Sequence, residues 1–140
     1  MLARFGIVFW FVLLGCSSES SPISQSFPYQ FVANKTESNG HENSMELYAC
    51  SGDIDIPNLR EFCLERKRQS SAPAFNYLVV FDDRNNAAFP KSPFTAEYGL
   101  EEDVMKHIRA IYVYNRMNGF SEFRYYSENM WASKAMTESL

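Results

Sequence analysis

Apolar and polar positions alternate in distinct regimes along the 140 residues. Phe5 to Leu14 is an almost unbroken apolar run of about ten residues. That is half of the roughly 20 a membrane-spanning helix needs. Ser17 to Ser26 reads SSESSPISQS. Such Ser-rich composition makes a flexible tether and cannot supply a core. From Phe27 onward the pattern becomes that of a folded domain.

FPYQFV (27–32) is a short apolar run in which Pro28 lacks an N–H, which fits a strand start or an edge strand. After a polar stretch with an Asn39-Gly40 turn signal, Met45, Leu47 and Ala49 alternate with Glu46, Tyr48 and Cys50, which predicts a second strand. Leu59, Phe62 and Cys63 form a helical stripe behind Pro57, which suits a first helical turn, with Asp55 placed to cap. Arg66, Lys67 and Arg68 then fall in the last turn, where cations suit the helix dipole, and the helix is expected to end near Gln69.

Tyr77 to Phe81 is continuously apolar, the pattern of a strand covered on both faces. Asp82 to Asn86 turns the chain, and Ala87 to Phe89 is expected to return as a strand. Glu101, Glu102 and Asp103 open a second helix ending near His107. Ile108–Tyr114 and Phe120–Tyr126 flank Asn118-Gly119, the strongest short-range hairpin signal. A short terminal helix is expected over Met130–Met136. The sum is one α+β domain over 27–140: a small, mostly antiparallel sheet with one or two helices packed on one face.

Composition narrows the function classes. Charged residues make up 21% and the formal net charge is −4, so no basic excess exists to neutralise phosphates, and a nucleic-acid partner is not expected. Aromatic residues reach 16%, against a disordered chain.

The amino terminus carries an address. Arg4, the apolar run and Gly15 form the n-region, h-region and small residue of a secretory signal over residues 1–15. Leu13-Leu14-Gly15-Cys16 resembles the lipobox of bacterial lipoprotein precursors. The resemblance covers only the first sixteen residues. It implies cleavage before Cys16, a diacylglycerol on its thiol and acylation of its new amino group. Several acyl chains anchor stably where one is marginal. Ser17 resembles the class sent to the outer membrane, facing the periplasm. Loss of residues 1–15 removes Arg4 and no acid, leaving 12 cations against 17 acids, a net −5. Membrane contact is therefore expected through the lipid, and residues 16–26 act as lipidated Cys and tether.

Cys50 and Cys63 remain, an even pair in an exported, oxidising setting. A disulfide between them is expected to pin the helix to the sheet; buried free thiols and a redox pair are the alternatives. His41 and His107 stand in no metal-binding frame, so no metal or other cofactor is expected. Asp82 and Asp83 follow an apolar strand, as catalytic carboxylates do, but open an Asn-rich turn that Asp favours.

Seven aromatic residues crowd the last hairpin and its tail. Strand alternation sends Tyr112 and Tyr114 to one face and Ile111 and Val113 to the other. Core packing explains one face; a binding face, with Tyr114, Phe123, Tyr125 and Trp131 as contacts, is the functional reading. The sequence thus points to a non-catalytic, protein-binding envelope lipoprotein — a scaffold, an inhibitor or an immunity-like protein. A glycan or small-molecule binder is the alternative, and an envelope hydrolase using Asp82, Asp83 or His107 comes last.

Overall fold

The structure, a computed structural model, describes residues 26–37, 40, 42–71 and 74–140. The signal run, Cys16, most of the tether, Asn39 and His41 lie outside the described residues. Six strands form one sheet: β1 (Gln30–Thr36), β2 (Ser44–Ala49), β3 (Asn76–Phe81), β4 (Ile108–Asn115), β5 (Phe120–Tyr125) and β6 (Met136–Glu138). They lie side by side in chain order. Every pairing is antiparallel except β2 with β3, which α1 (Ile56–Gln69) joins in a parallel crossover. This is the expected α+β domain with a mostly antiparallel sheet.

α1 covers one face. Leu59, Phe62 and Cys63 pack on Tyr48, Leu78, Val80, Tyr112, Tyr114 and Phe123. Phe62 anchors the seam, its ring 4.8 Å from Tyr48 and Tyr29 and 5.4 Å from Phe27. Asp55 does not cap with its side chain; its carbonyl accepts the Leu59 N–H at 2.9 Å. Below the helix end, Arg66 donates to both Glu46 oxygens, and the Tyr48 hydroxyl donates to the same carboxylate at 2.6 Å. The half-buried charges are paired and hydrogen-bonded there, which offsets their partial desolvation.

The opposite face is covered by the segment between β3 and β4. Phe94 and Tyr98 bury themselves against Met45, Leu47, Tyr77, Val79, Phe81, Ile111 and Val113. Hence all six β3 residues are buried, as the apolar run predicted. Tyr112 and Tyr114 face α1 while Ile111 and Val113 face the other layer, as strand alternation requires.

Three expected elements are corrected. Ala87–Phe89 is not a strand. The Asp83 carboxylate accepts the Asn85 N–H at 2.7 Å and starts a 3-10 turn, and buried Pro90 has no N–H for a ladder. The second helix, α2 (Glu102–Met105), is one turn long and lies on the face opposite α1. Leu100, just ahead of it, is 91% exposed. Met130–Met136 is not a helix, because Asn129 Oδ1 accepts the Trp131 and Ala132 N–H groups and folds the chain into a turn ahead of β6.

The expected Cys50–Cys63 disulfide is not formed; both are buried free thiols. Cys50 follows the carboxyl end of β2 and Cys63 stands on the buried face of α1, both in the core beneath the helix.

Candidate binding pocket at one end of the sheet

α1 and the β3–β4 segment cover the two faces of the central strands, which leaves the ends and edges of the sheet the most accessible among the described residues. The structure separates the four expected contact residues. Tyr114 and Phe123 are buried against α1, so they are core and cannot meet a partner. Burial also raises the Tyr114 phenol above its ordinary value. Tyr125 is half-buried, stacked on Phe123 at 5.4 Å, with its hydroxyl donating to Glu138. Trp131 is 47% exposed and is the one of the four that stands at the surface.

The end of the sheet holding the carboxyl ends of β2 and β3 gathers polar groups. His107 Nδ1 lies 3.1 Å from both Asp82 oxygens and 3.0 Å from Asn86 Nδ2. The Asp82 N–H donates to the His107 carbonyl, so the pair ties the start of β4 to the end of β3. Asp83 spends its carboxylate on its own turn. Glu101 accepts the Lys91 N–H, and Glu102 pairs with Lys106 at 2.5 Å. Each of these carboxylates has a structural partner. Among the described residues, no three His, Cys, Asp or Glu side chains form a metal-binding group.

The opposite end is different. Here β2 and β3 begin, β4 ends and β5 starts, with Ser44 level with Asn76 and Asn115 opposite Phe120. A pocket of about 320 Å³ opens between Asn43, Ala74, Phe75, Thr95 and Asn115. That is the lower end of the size range of ligand pockets, and its wall is mainly apolar. Its polar members are held by the fold. Asn43 Oδ1 accepts the Phe75 N–H and its Nδ2 donates to Glu37, each at 3.3 Å. Asn115 Oδ1 accepts the Met117 N–H at 2.9 Å. The adjoining β4–β5 hairpin exposes two large apolar side chains, Met117 at 77% in the turn and Phe120 at 40% at the start of β5. Phe120 meets Phe75 edge-to-face, ring centres 5.6 Å apart.

The hairpin signal that located β4 and β5 therefore also located the rim. Asn118 Oδ1 accepts the Phe120 N–H, and Gly119 takes φ 75° in the turn. Sequence reasoning placed Phe120 in the aromatic cluster but did not single out Phe75, Thr95 or Met117. A large apolar residue at the tip of a hairpin, where polar residues belong, is the signal that marks Met117.

Compared with protein-family models, curated proteins and solved structures, the chain has no match. The pocket's meaning thus rests on its own geometry. Among the described residues, no helix is long and apolar enough to cross a membrane.

Proposed function

We propose that the chain is a lipid-anchored envelope lipoprotein whose folded domain is a non-catalytic protein-binding module. Anchoring is through Cys16, on the outer membrane and facing the periplasm. The reading is carried by the apolar pocket, with Phe120 packed on its Phe75 wall and Met117 exposed in the adjoining turn. Exposed apolar groups gathered beside a pocket are what a partner's anchoring side chain needs. The place of the pocket supports the same reading. Gln30, where the chain enters the sheet, is level with Ala49, at the end away from the pocket. A six-residue strand separates the two ends by about 20 Å. A domain tethered through its amino terminus thus has its pocket on the side away from the attachment.

The test has two arms. Mass spectrometry of the membrane fraction should find a chain beginning at acylated Cys16, and Cys16→Ser should lose both cleavage and anchoring. A photo-crosslinking amino acid at Met117 should give one discrete protein adduct in intact envelopes, and the same group at Arg84, at the far end, should not. Adducts of equal strength at both positions, or none at Met117, would refute the site. A second reading, a glycan or small-molecule site, is favoured by one observation: the Asn43 and Asn115 amides stand beside an aromatic ring.

A further inference from the structure

Resting on the protein-binding reading, we propose that the pocket receives one lysine side chain from the partner, its stem on the apolar wall and its ammonium on Glu37. Size argues for a single side chain. At about 320 Å³ the pocket is small for an extended ligand. The wall argues for an apolar stem: Ala74 and Phe75 line it, and Phe120 packs on Phe75. The methylenes of a lysine lie along such a surface while its ammonium stays at a polar edge.

Charge argues for a cation at the end of that stem. The polar edge is the Glu37 carboxylate. One of its oxygens accepts from Asn43 Nδ2 at 3.3 Å, and Asn43 belongs to the wall. The other accepts the N–H of Phe94 at 2.8 Å, and the next residue, Thr95, belongs to the wall too. Both donors are neutral. Among the described residues no Lys, Arg or His forms an ion pair with Glu37. A carboxylate has about four lone-pair sites, so two neutral donors leave room for an ammonium. A half-buried carboxylate gains most from a charged donor.

The surroundings have the same sign. Glu42, exposed, stands one residue before Asn43. Arg124, on this face, is shared between Glu97 and Glu122. Lys35 lies over the rings of Phe89 and Phe94, its Nζ 5.9 and 6.0 Å from their centres. The face thus already holds one ammonium against aromatic rings. Arg66 and Arg116 lie on the α1 side, engaged by Glu46 and the Ser70 carbonyl, and do not answer Glu37.

The test uses the full chain, labelled with nitrogen-15, in nonionic detergent, and three heptapeptides with blocked ends. One carries a single central Lys among Gly and Ser residues. The second replaces that Lys by norleucine, which keeps the stem and drops the charge. The third replaces it by Glu. The Lys peptide should shift the amides of Phe75, Thr95 and Asn115, bind at least tenfold more tightly than either control, and weaken as salt rises. Glu37→Gln, which keeps an acceptor for the Phe94 N–H, should bring the Lys peptide down to the norleucine level. Thr95→Trp, at an exposed wall position, should fill the pocket and abolish binding with no change in melting temperature. Equal binding of the Lys and norleucine peptides, undiminished binding by either variant, or no binding at millimolar peptide would overturn the inference. Putrescine binding more tightly than the Lys peptide would overturn it in favour of a free amine, and N-acetylglucosamine doing so in favour of a sugar. A Met117 adduct in envelopes without Lys-peptide binding would fell this inference alone and leave the binding module standing.

Discussion

Glu97 is the place where a single substitution separates an ion pair from backbone strain. Its φ of 51° and ψ of −130° lie in a region that side-chain-bearing residues avoid. Its carboxylate is bound by both Arg124 guanidinium nitrogens, and the two side chains are 19% and 18% exposed. Removing one partner of a fully buried pair costs about 3–5 kcal/mol. Here partial exposure and the second pairing of Arg124 with Glu122 at 3.0 Å reduce that to about 2 kcal/mol. The backbone conformation itself costs a non-glycine residue about 1–3 kcal/mol. Glycine pays no such strain, though its freer unfolded chain offsets about 0.4–1 kcal/mol of the gain. Glu97→Ala should therefore lower unfolding free energy by about 2 kcal/mol, and Glu97→Gly should be about 1 kcal/mol more stable than Glu97→Ala. Urea denaturation followed by circular dichroism measures both. A Gly variant no more stable than the Ala variant would show that the conformation carries no strain, and that the Arg124 pair alone holds the segment.

Phe62→Ala should destabilise by about 3–5 kcal/mol, because the ring is buried among Phe27, Tyr29 and Tyr48, whereas Trp131→Ala should stay within about 0.5 kcal/mol by the same urea assay. Cys50 and Cys63 should both resist a thiol reagent at pH 8 in the folded chain and both react after unfolding, since burial raises each thiol and disfavours its thiolate; an oxidised pair in the mass spectrum would contradict the free thiols. Burial also raises the phenols of Tyr29, Tyr48 and Tyr98, and moves those of Tyr77 and Tyr112 to about 12. Their neutral forms are favoured in the folded state, so their stabilising contribution is present below the ordinary phenol value of 10 and is lost as pH rises from there. Melting temperature should fall steeply above pH 10, and a flat profile to pH 11 would contradict it.

Legibility in the sequence followed the local physics. α1 was readable because Leu59, Phe62 and Cys63 repeat at helical spacing behind Pro57, and β3 because an apolar run needs cover on both faces. The β4–β5 hairpin was readable from Asn118-Gly119. The segment between β3 and β4 was not, since its course is set by tertiary contacts: Tyr98 donates to the Ala88 carbonyl, Ser92 to the Glu97 carbonyl, and Phe94 fills the far core. β6 was missed because three residues carry almost no periodicity. It is held by Arg60 on Glu138, 78 positions away.

The candidate site failed in the sequence for a related reason. Aromatic density on a hairpin marks burial and binding alike, and only the position of α1 decides between them. Once α1 takes Tyr112, Tyr114 and Phe123, the binding reading must move to apolar groups the core cannot reach. Met117 and Phe120 are such groups: Met117 stands in the turn that joins β4 to β5, and Phe120 opens β5 against Phe75 on the face away from α1. The crossover of α1 between β2 and β3 therefore determines two things together. It consumes one face of the aromatic hairpin, and it brings the basic helix terminus to the end where the other apolar groups emerge. The opposite end, where β3 runs into the Asp82–His107 pair, presents carboxylates already engaged by the fold.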